Sequence, residues 1–161
     1  MSLAQRLQDD LTRAMRERDE LRRESLRMAI AAVYGAQKAA RRELSDDEVT
    51  TVLLREVKAR RESIEAFSGA GRAATAAEEQ AKLDIISAYL PARMAPEELM
   101  SLVGEAVDES GATSPREMGK VMAVLMPRIK GRAEGKDVSA AVAQELARRD
   151  LAAHDQTGHG S

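Results

Sequence analysis

The chain has 161 residues, a formal net charge of −2, no cysteine and only three aromatic residues. Without cysteine it can form no disulfide, thiolate zinc site or cysteine nucleophile, and so few aromatic residues make base stacking an unexpected way of binding nucleic acid. No apolar run has the length of a signal peptide or of a membrane-spanning helix, so we expect a soluble, cytoplasmic protein with no membrane role.

Apolar residues at helical spacing predict the first two helices. The first helix, expected over about residues 3–18, begins after a possible Ser2–Gln5 capping box. Its apolar residues recur every four positions, at Leu3, Leu7, Leu11 and Met15. The second helix is expected over about residues 20–42, with an apolar set of Leu26, Met28, Ala29, Ile30, Val33 and Tyr34.

Capping signals also introduce a third and a fourth helix. Ser45 with Glu48 forms a capping box before a helix whose predicted end is Gly69. Within that helix Arg60 interrupts the apolar stripe, which favours an ion pair to another helix over a binding site, although Arg60 and Arg61 could contact RNA. Thr75 with Glu78 predicts the start of the fourth helix, and Pro91 ends it.

The organisation changes after Pro91, where two prolines within six residues suggest a linker over residues 92–96. Three more helices are predicted beyond it. The fifth runs from Pro96 to Gly111, the sixth begins with Ser114 as its N-cap, and Asp137 caps the seventh. We therefore expect an all-α fold with an N-terminal four-helix unit (1–91), a smaller C-terminal three-helix unit (97–153) and a disordered tail (154–161).

Charge is distributed unevenly along the chain. Residues 1–42 carry ten Lys or Arg and six Asp or Glu, residues 43–110 carry seven and fifteen, and residues 118–136 carry five and one. Charged helices usually pair such residues at i,i+4 spacing, but residues 118–136 have only Glu134 as an internal acidic partner. Their methionines Met118, Met122 and Met126 are expected to face the core, while a groove for a protein partner is the alternative.

The loop after the sixth helix combines glycine with basic residues. Its sequence from Gly131 to Asp137 is one residue short of a phosphate-binding P-loop and lacks both the preceding strand and the Ser or Thr that binds magnesium, so we reject that motif. The glycines could simply end one helix and begin the next. Alternatively the cluster contacts phosphates, with a candidate nucleic-acid-binding set of Lys120, Arg128, Lys130, Gly131, Arg132, Gly135 and Lys136.

Three sequence runs carry a family resemblance. KARRESIEAF (58–67), LDIISAYLP (83–91) and GATSPREMGKVMAVLMPRIKGRAEGKDV (111–138) follow one another in the order seen in the GatB/YqeY family. The chain resembles the small YqeY-like proteins and the C-terminal helical tail of the B subunit of tRNA-dependent amidotransferases. The resemblance implies a two-part helical fold and an association with glutamine-dependent tRNA transamidation, a carbon–nitrogen ligase reaction in which the tail contributes to tRNA recognition.

No catalytic residue is predicted. The chain lacks a Gly/Ser-rich nucleophile segment, and both histidines, His154 and His159, fall in the expected tail, so neither a nucleophile–base pair nor a metal site is indicated. We expect no cofactor. The leading hypothesis is a non-catalytic module that binds tRNA and has an amidotransferase or aminoacyl-tRNA synthetase as a protein partner. The alternative is a protein-interaction adaptor with no nucleic-acid role.

Overall fold

A computed structural model describes residues 1–158 of the protein and confirms the all-α fold class. Within those residues it contains no β-strand, and a short 3₁₀ helix, Pro115–Glu117, precedes the sixth α-helix. The α-helices are α1 (Leu3–Glu17), α2 (Glu20–Ala40), α3 (Asp46–Gly69), α4 (Ala73–Ser87), α5 (Pro96–Ser110), α6 (Met118–Ile129) and α7 (Gly135–Thr157).

The chain divides into two compact units between Pro91 and Ala92. Helices α1 to α4 lie in the first unit and α5 to α7 in the second. Each unit has its own buried apolar cluster. The largest fully buried side chains of the first are Leu7, Leu26, Leu53, Ile86 and Val49, and those of the second include Leu125, Ile129, Leu146, Val103, Val107, Val121 and Val138.

Local capping explains several helix ends. Ser45 Oγ accepts the Glu48 backbone N–H while the Glu48 carboxylate accepts the Ser45 backbone N–H, which confirms the predicted capping box of α3. Ser2 caps α1 in the same way, but the side chain of Gln5 bonds to Asp9, so this box is only half formed. Helix α5 ends at Gly111, which adopts the left-handed conformation expected of a C-terminal glycine, with φ +71°.

Other predicted boundaries were wrong. Helix α4 begins at Ala73, two residues before Thr75, and α7 begins at Gly135, so Asp137 lies in its first turn instead of capping it. Ser114 makes no side-chain cap bond; the Glu117 carboxylate accepts the Thr113 backbone N–H there instead. Residues 154–157, expected in a disordered tail, continue α7, because its own backbone hydrogen bonds extend the helix beyond the last core residue. His159 lies outside the described residues.

Three apolar side chains expected to face a core are exposed. Met15 is 45% exposed and Ala14 takes the buried position, because a four-residue repeat advances about 400° on a helix and drifts away from the core by about 40° at each step. Tyr34 is 66% exposed on α2. In α6, Met118 and Met122 pack against the core as expected, whereas Met126 is 40% exposed.

Candidate nucleic-acid interface

The basic turn, residues 130–134, connects α6 to α7. Helix α6 ends at Ile129, and both Lys130 and Gly131 then adopt left-handed backbone conformations, with φ of 49° and 75°. Gly131 takes this conformation at no steric cost, whereas Lys130 takes it against the preference of a residue with a Cβ atom. The Arg132 backbone N–H bonds to the Ile129 carbonyl at 3.0 Å, and the Arg132 carbonyl accepts the Met94 N–H at 2.8 Å. The turn therefore has a defined path.

Arg132 is occupied by neighbouring acceptors. Its two terminal nitrogens bond to both carboxylate oxygens of Glu98 at 2.6 and 2.8 Å, and its Nε donates to the Ala92 carbonyl at 3.0 Å. The hydrogen bonds from Arg132 lower the pKa of Glu98 below its usual value. Three of the five N–H donors of the Arg132 guanidinium are thus already directed at Glu98 in the first turn of α5 and at the Ala92 carbonyl before it.

Two further cations of the predicted set are also paired with carboxylates. Arg128 forms an ion pair with Glu109 at the end of α5. Lys120 Nζ lies 3.1 Å from Glu117, whose pKa falls to about 2 because its carboxylate accepts the Thr113 backbone N–H and, secondly, a hydrogen bond from Lys120. The sequence argument that residues 118–136 lack acidic partners was therefore incomplete, because α5 supplies Glu98 and Glu109 from outside that stretch.

Lys130 and Lys136 remain available. Both side chains are exposed, and neither has an ion-pair partner within residues 1–158. Lys136 lies in the first turn of α7, whose N-cap residue Glu134 provides no side-chain cap bond. Arg93 lies 3.9 Å from a carboxylate oxygen of both Glu134 and Asp137, which partly offsets the negative charge at this helix end. Gly135, the first residue of α7, is exposed between the two lysines in sequence.

The two additional candidates belong to α3, in the first unit. Arg60 Nη1 lies 2.7 Å from Oε2 of Glu79 on α4, and Lys82 lies 3.5 Å from both Glu79 and Glu24. Both partners of the Arg60–Glu79 pair are at most one quarter exposed. This confirms the interpretation of Arg60 as an inter-helix ion pair. Arg61, next to it, is half-buried.

The sequence reading missed a buried carboxylate in α7. Glu145 is only 7% exposed and accepts hydrogen bonds from Arg148 and Arg149. These bonds, chiefly that from Arg148, lower the pKa of Glu145 to about 2 despite its burial. Arg149 continues to Asp108 and to the Gly104 carbonyl of α5. The signal was the acid at a core-facing position, one residue before buried Leu146 and four before Arg149.

Other kinds of site are not apparent in the part of the chain that the structure describes. Residues 1–158 hold no group of three or more His, Asp or Glu side chains placed to bind a metal ion. His154, the histidine within this range, is exposed on the last turns of α7, where its Nδ1 lies 2.8 Å from the Asp150 carbonyl oxygen. Among these residues, no helix combines the length and apolar character that crossing a membrane requires.

Comparison with known proteins identifies the family. The model of the Yqey-like protein family matches residues 4–146, which is most of the chain. A curated relative, "Altered inheritance of mitochondria protein 41, mitochondrial" from Pyrenophora tritici-repentis (strain Pt-1C-BFP), is 31% identical over 144 residues, covering 88% of this chain and 78% of the relative. The chain therefore belongs to the YqeY-like protein family.

Proposed function

We propose that this protein is a non-catalytic, tRNA-associated module related to glutamine-dependent tRNA transamidation. The observation that carries the proposal is the pair of exposed lysines, Lys130 and Lys136, at the turn from α6 to α7. Neither lysine is neutralised by a carboxylate within residues 1–158. The turn also lies in the sequence run that most resembles the tRNA-binding tail of the amidotransferase B subunit. A phosphate contact uses cations of this kind.

The basic residues in the turn and in the adjoining helix ends then have different roles. Arg128 and Arg132 hold the turn against α5 through Glu109 and Glu98, so they position it. Lys130 and Lys136 contact tRNA phosphates, helped by the positive end of the α7 dipole. Two phosphate contacts give a modest salt dependence, with log K falling by about 1 to 2 for each tenfold increase in salt.

A gel-shift titration with bulk tRNA at low and at physiological salt tests this proposal. The double variant Lys130→Glu/Lys136→Glu should weaken binding at low salt by roughly tenfold or more, because it reverses both free charges. The matched control is Lys58→Glu, which reverses an exposed lysine on α3 in the other unit and should leave binding nearly unchanged. Absence of binding at low salt, or equal loss in the control, would contradict the proposal.

The absence of catalysis is tested separately. Purified protein incubated with glutamine should release no ammonia above the uncatalysed background, with or without tRNA. Sustained release that follows protein concentration would show that this chain performs amide chemistry itself. Location in the cytoplasm stays a prediction, since the name of the relative places that protein in mitochondria. Fractionation of cells expressing the full chain would decide it.

Exposed methionines favour a second candidate function, that of an adaptor for a protein partner. Met100 on α5 is 42% exposed and Met126 on α6 is 40% exposed, and methionine adapts well to varied apolar partners. An amidotransferase or aminoacyl-tRNA synthetase is the kind of partner that the family resemblance suggests. A pull-down that survives nuclease treatment and is lost in Met100→Gln/Met126→Gln would favour the adaptor, whereas nuclease-sensitive capture would favour tRNA.

A further inference from the structure

A second surface whose cations have no carboxylate partner within residues 1–158 lies in the first unit, along one side of α2. Nη2 of one of them, Arg27, lies 3.9 Å from the Met15 sulfur. Arg27, Tyr34 and Lys38 are spaced at seven and four residues, which places them on the same side of a helix. Arg41 follows as the C-cap residue, about 21 Å from Arg27 along the helix axis. All four side chains are exposed. Arg27, Lys38 and Arg41 have no carboxylate partner among residues 1–158, in contrast to the paired arginines of the basic turn.

Tyr34 is the feature of this surface that packing does not explain. Its side chain is 66% exposed, and no cation or second ring contacts its ring within the described part of the chain. Tyr89 shows the opposite arrangement, because its hydroxyl donates to Asp10 and Arg6 lies over its ring at 5.3 Å. An amphipathic ring that is two-thirds exposed on a helix is suited to stacking on a planar ligand.

Beside Tyr34, residues of α1, of α2 and of the segment that follows α2 line an open cleft of about 380 Å³. This volume lies within the range of about 300–1,000 Å³ that small-molecule sites occupy. Side chains of Leu7, Ile30, Val33 and Leu44 contribute apolar surface. Amide side chains of Gln8 and Gln37 also line it, and amides can both donate to and accept from the edge of a nucleobase. Glu43 is the carboxylate that lines it.

We propose that this side of α2 and the adjoining cleft bind a single-stranded stretch of RNA. One base stacks on Tyr34 at the mouth of the cleft, where Gln8 and Gln37 contact its edge. Arg27, Lys38 and Arg41 contact the phosphates on either side. This surface goes beyond the tRNA contact at the basic turn and uses residues of the other unit.

The chemistry of the surface favours RNA over an acidic protein helix. A helix docked in a groove needs apolar anchors over two or more turns. Here the apolar residues around Tyr34 lie in the cleft, and the exposed side chains that flank Tyr34 on this side of α2 and at its C-cap include Arg27, Lys38 and Arg41. Unpaired cations around an exposed aromatic ring and two amides match a ligand with phosphates and a flat polar-edged base.

Fluorescence anisotropy with a fluorescein-labelled oligouridine tests the inference on the full chain. Binding should weaken with salt. Tyr34→Ala should weaken it roughly tenfold or more, as loss of one base–aromatic stack predicts, while Tyr34→Phe keeps the ring and should bind nearly as the original chain does. Arg27→Gln/Lys38→Gln should weaken binding and reduce its salt dependence. Far-ultraviolet circular dichroism checks that each variant stays helical.

The control variants test whether the loss is specific to this surface. Lys58→Gln, which removes an exposed lysine of α3, should bind oligouridine as the original chain does. Because the lysines of the basic turn also contact phosphates, Tyr34→Ala is compared with and without Lys130→Glu/Lys136→Glu and should weaken binding by a similar factor in both backgrounds. If the lysines of the turn matter and Tyr34 does not, this inference is wrong while the proposed tRNA contact stands. Absence of binding at low salt, equal affinity of Tyr34→Ala, or equally tight binding of an oligoglutamate peptide would also overturn it.

Discussion

Nε of Arg149 donates to Oε1 of the buried Glu145 at 2.8 Å, and the same guanidinium reaches Oδ1 of Asp108 on α5 at 2.5 Å. Arg149 therefore bridges a carboxylate within α7 and a carboxylate of the helix packed against it. A third hydrogen bond, to the Gly104 carbonyl at 3.3 Å, completes the link. The second unit is small, so the hydrogen bonds to its buried Glu145 supplement the stability that its own apolar core provides.

Replacing Glu145 should destabilise the second unit. Glu145→Ala removes a buried acceptor and leaves the half-buried Arg149 with Asp108 and the Gly104 carbonyl as its remaining partners, which costs about 2 kcal/mol. Amide hydrogen exchange of α5 and α7, read by mass spectrometry, measures the change in opening free energy. The matched control is Arg148→Ala, because the Arg148 side chain is 66% exposed and its pairing with Glu145 is screened by water. Equal effects of the two substitutions would contradict this account.

The same carboxylate should make stability depend on pH. The pKa of Glu145 is lowered to about 2 from the ordinary value of 4.5, so its ionised form stabilises the folded state. This contribution is complete above about pH 4.5 and is lost as the pH falls towards 2. The difference in opening free energy between the original chain and Glu145→Gln should therefore shrink across that interval. A difference that stays constant from pH 6 to pH 2 would show that the ionised carboxylate is not responsible.

Two glycines of the second unit should respond to alanine in opposite directions. Gly111 has φ +71° at the end of α5, so Gly111→Ala costs about 1 kcal/mol, although a Cβ atom there would meet nothing within 4 Å. Gly119 lies within α6 with equally open surroundings, so Gly119→Ala stabilises by about 0.5 kcal/mol through helix propensity. Denaturant titration followed by circular dichroism gives both signs. Destabilisation by both substitutions would mean that steric contact decides instead.

Substitutions at two residues of the basic turn, Arg132 and Lys130, should differ in their effect on the stability of the protein. Arg132→Gln breaks the paired hydrogen bonds to Glu98 and the bond to the Ala92 carbonyl, so it should lower the melting temperature. Lys130→Gln removes an exposed side chain without a carboxylate partner and should leave the melting temperature unchanged. Differential scanning fluorimetry of the two variants measures this contrast. A lower melting temperature for Lys130→Gln would indicate a structural role for that lysine.

Local signals in the sequence predicted the helices better than their ends. The predictions of the Ser45–Glu48 capping box and of a helix end at Gly111 were correct, because residues close in sequence determine the hydrogen bonds and backbone angles involved. Thr75 and Asp137 each have the right residue type for an N-cap, yet the helices begin two residues earlier. An N-cap residue needs a non-helical backbone conformation. Thr75 and Asp137 cannot be N-caps, because the backbone is already helical from Ala73 and from Gly135 onward.

The candidate site was harder to predict, because its charges are decided by tertiary pairing. Counting acids within residues 118–136 could not reveal that Glu98 and Glu109 of α5 meet Arg132 and Arg128. The sequence analysis also did not identify the exposed side of α2 as a candidate binding surface, because exposure depends on how the helices pack. Tyr34 reads as one more apolar residue in a helical stripe until the packing of α1 against α2 shows that it faces outward.

Helix α7 continues for eleven residues past Leu146, its last buried residue, and residues 151–157 are all exposed. Residues 151–157 form about 10 Å of helix and contribute no buried side chain, so substitutions among them should be tolerated. Because the chain has no cysteine, a thiol introduced by Ala153→Cys would be unique. A fluorophore attached at that point would label the chain without changing a residue of either proposed RNA-binding surface.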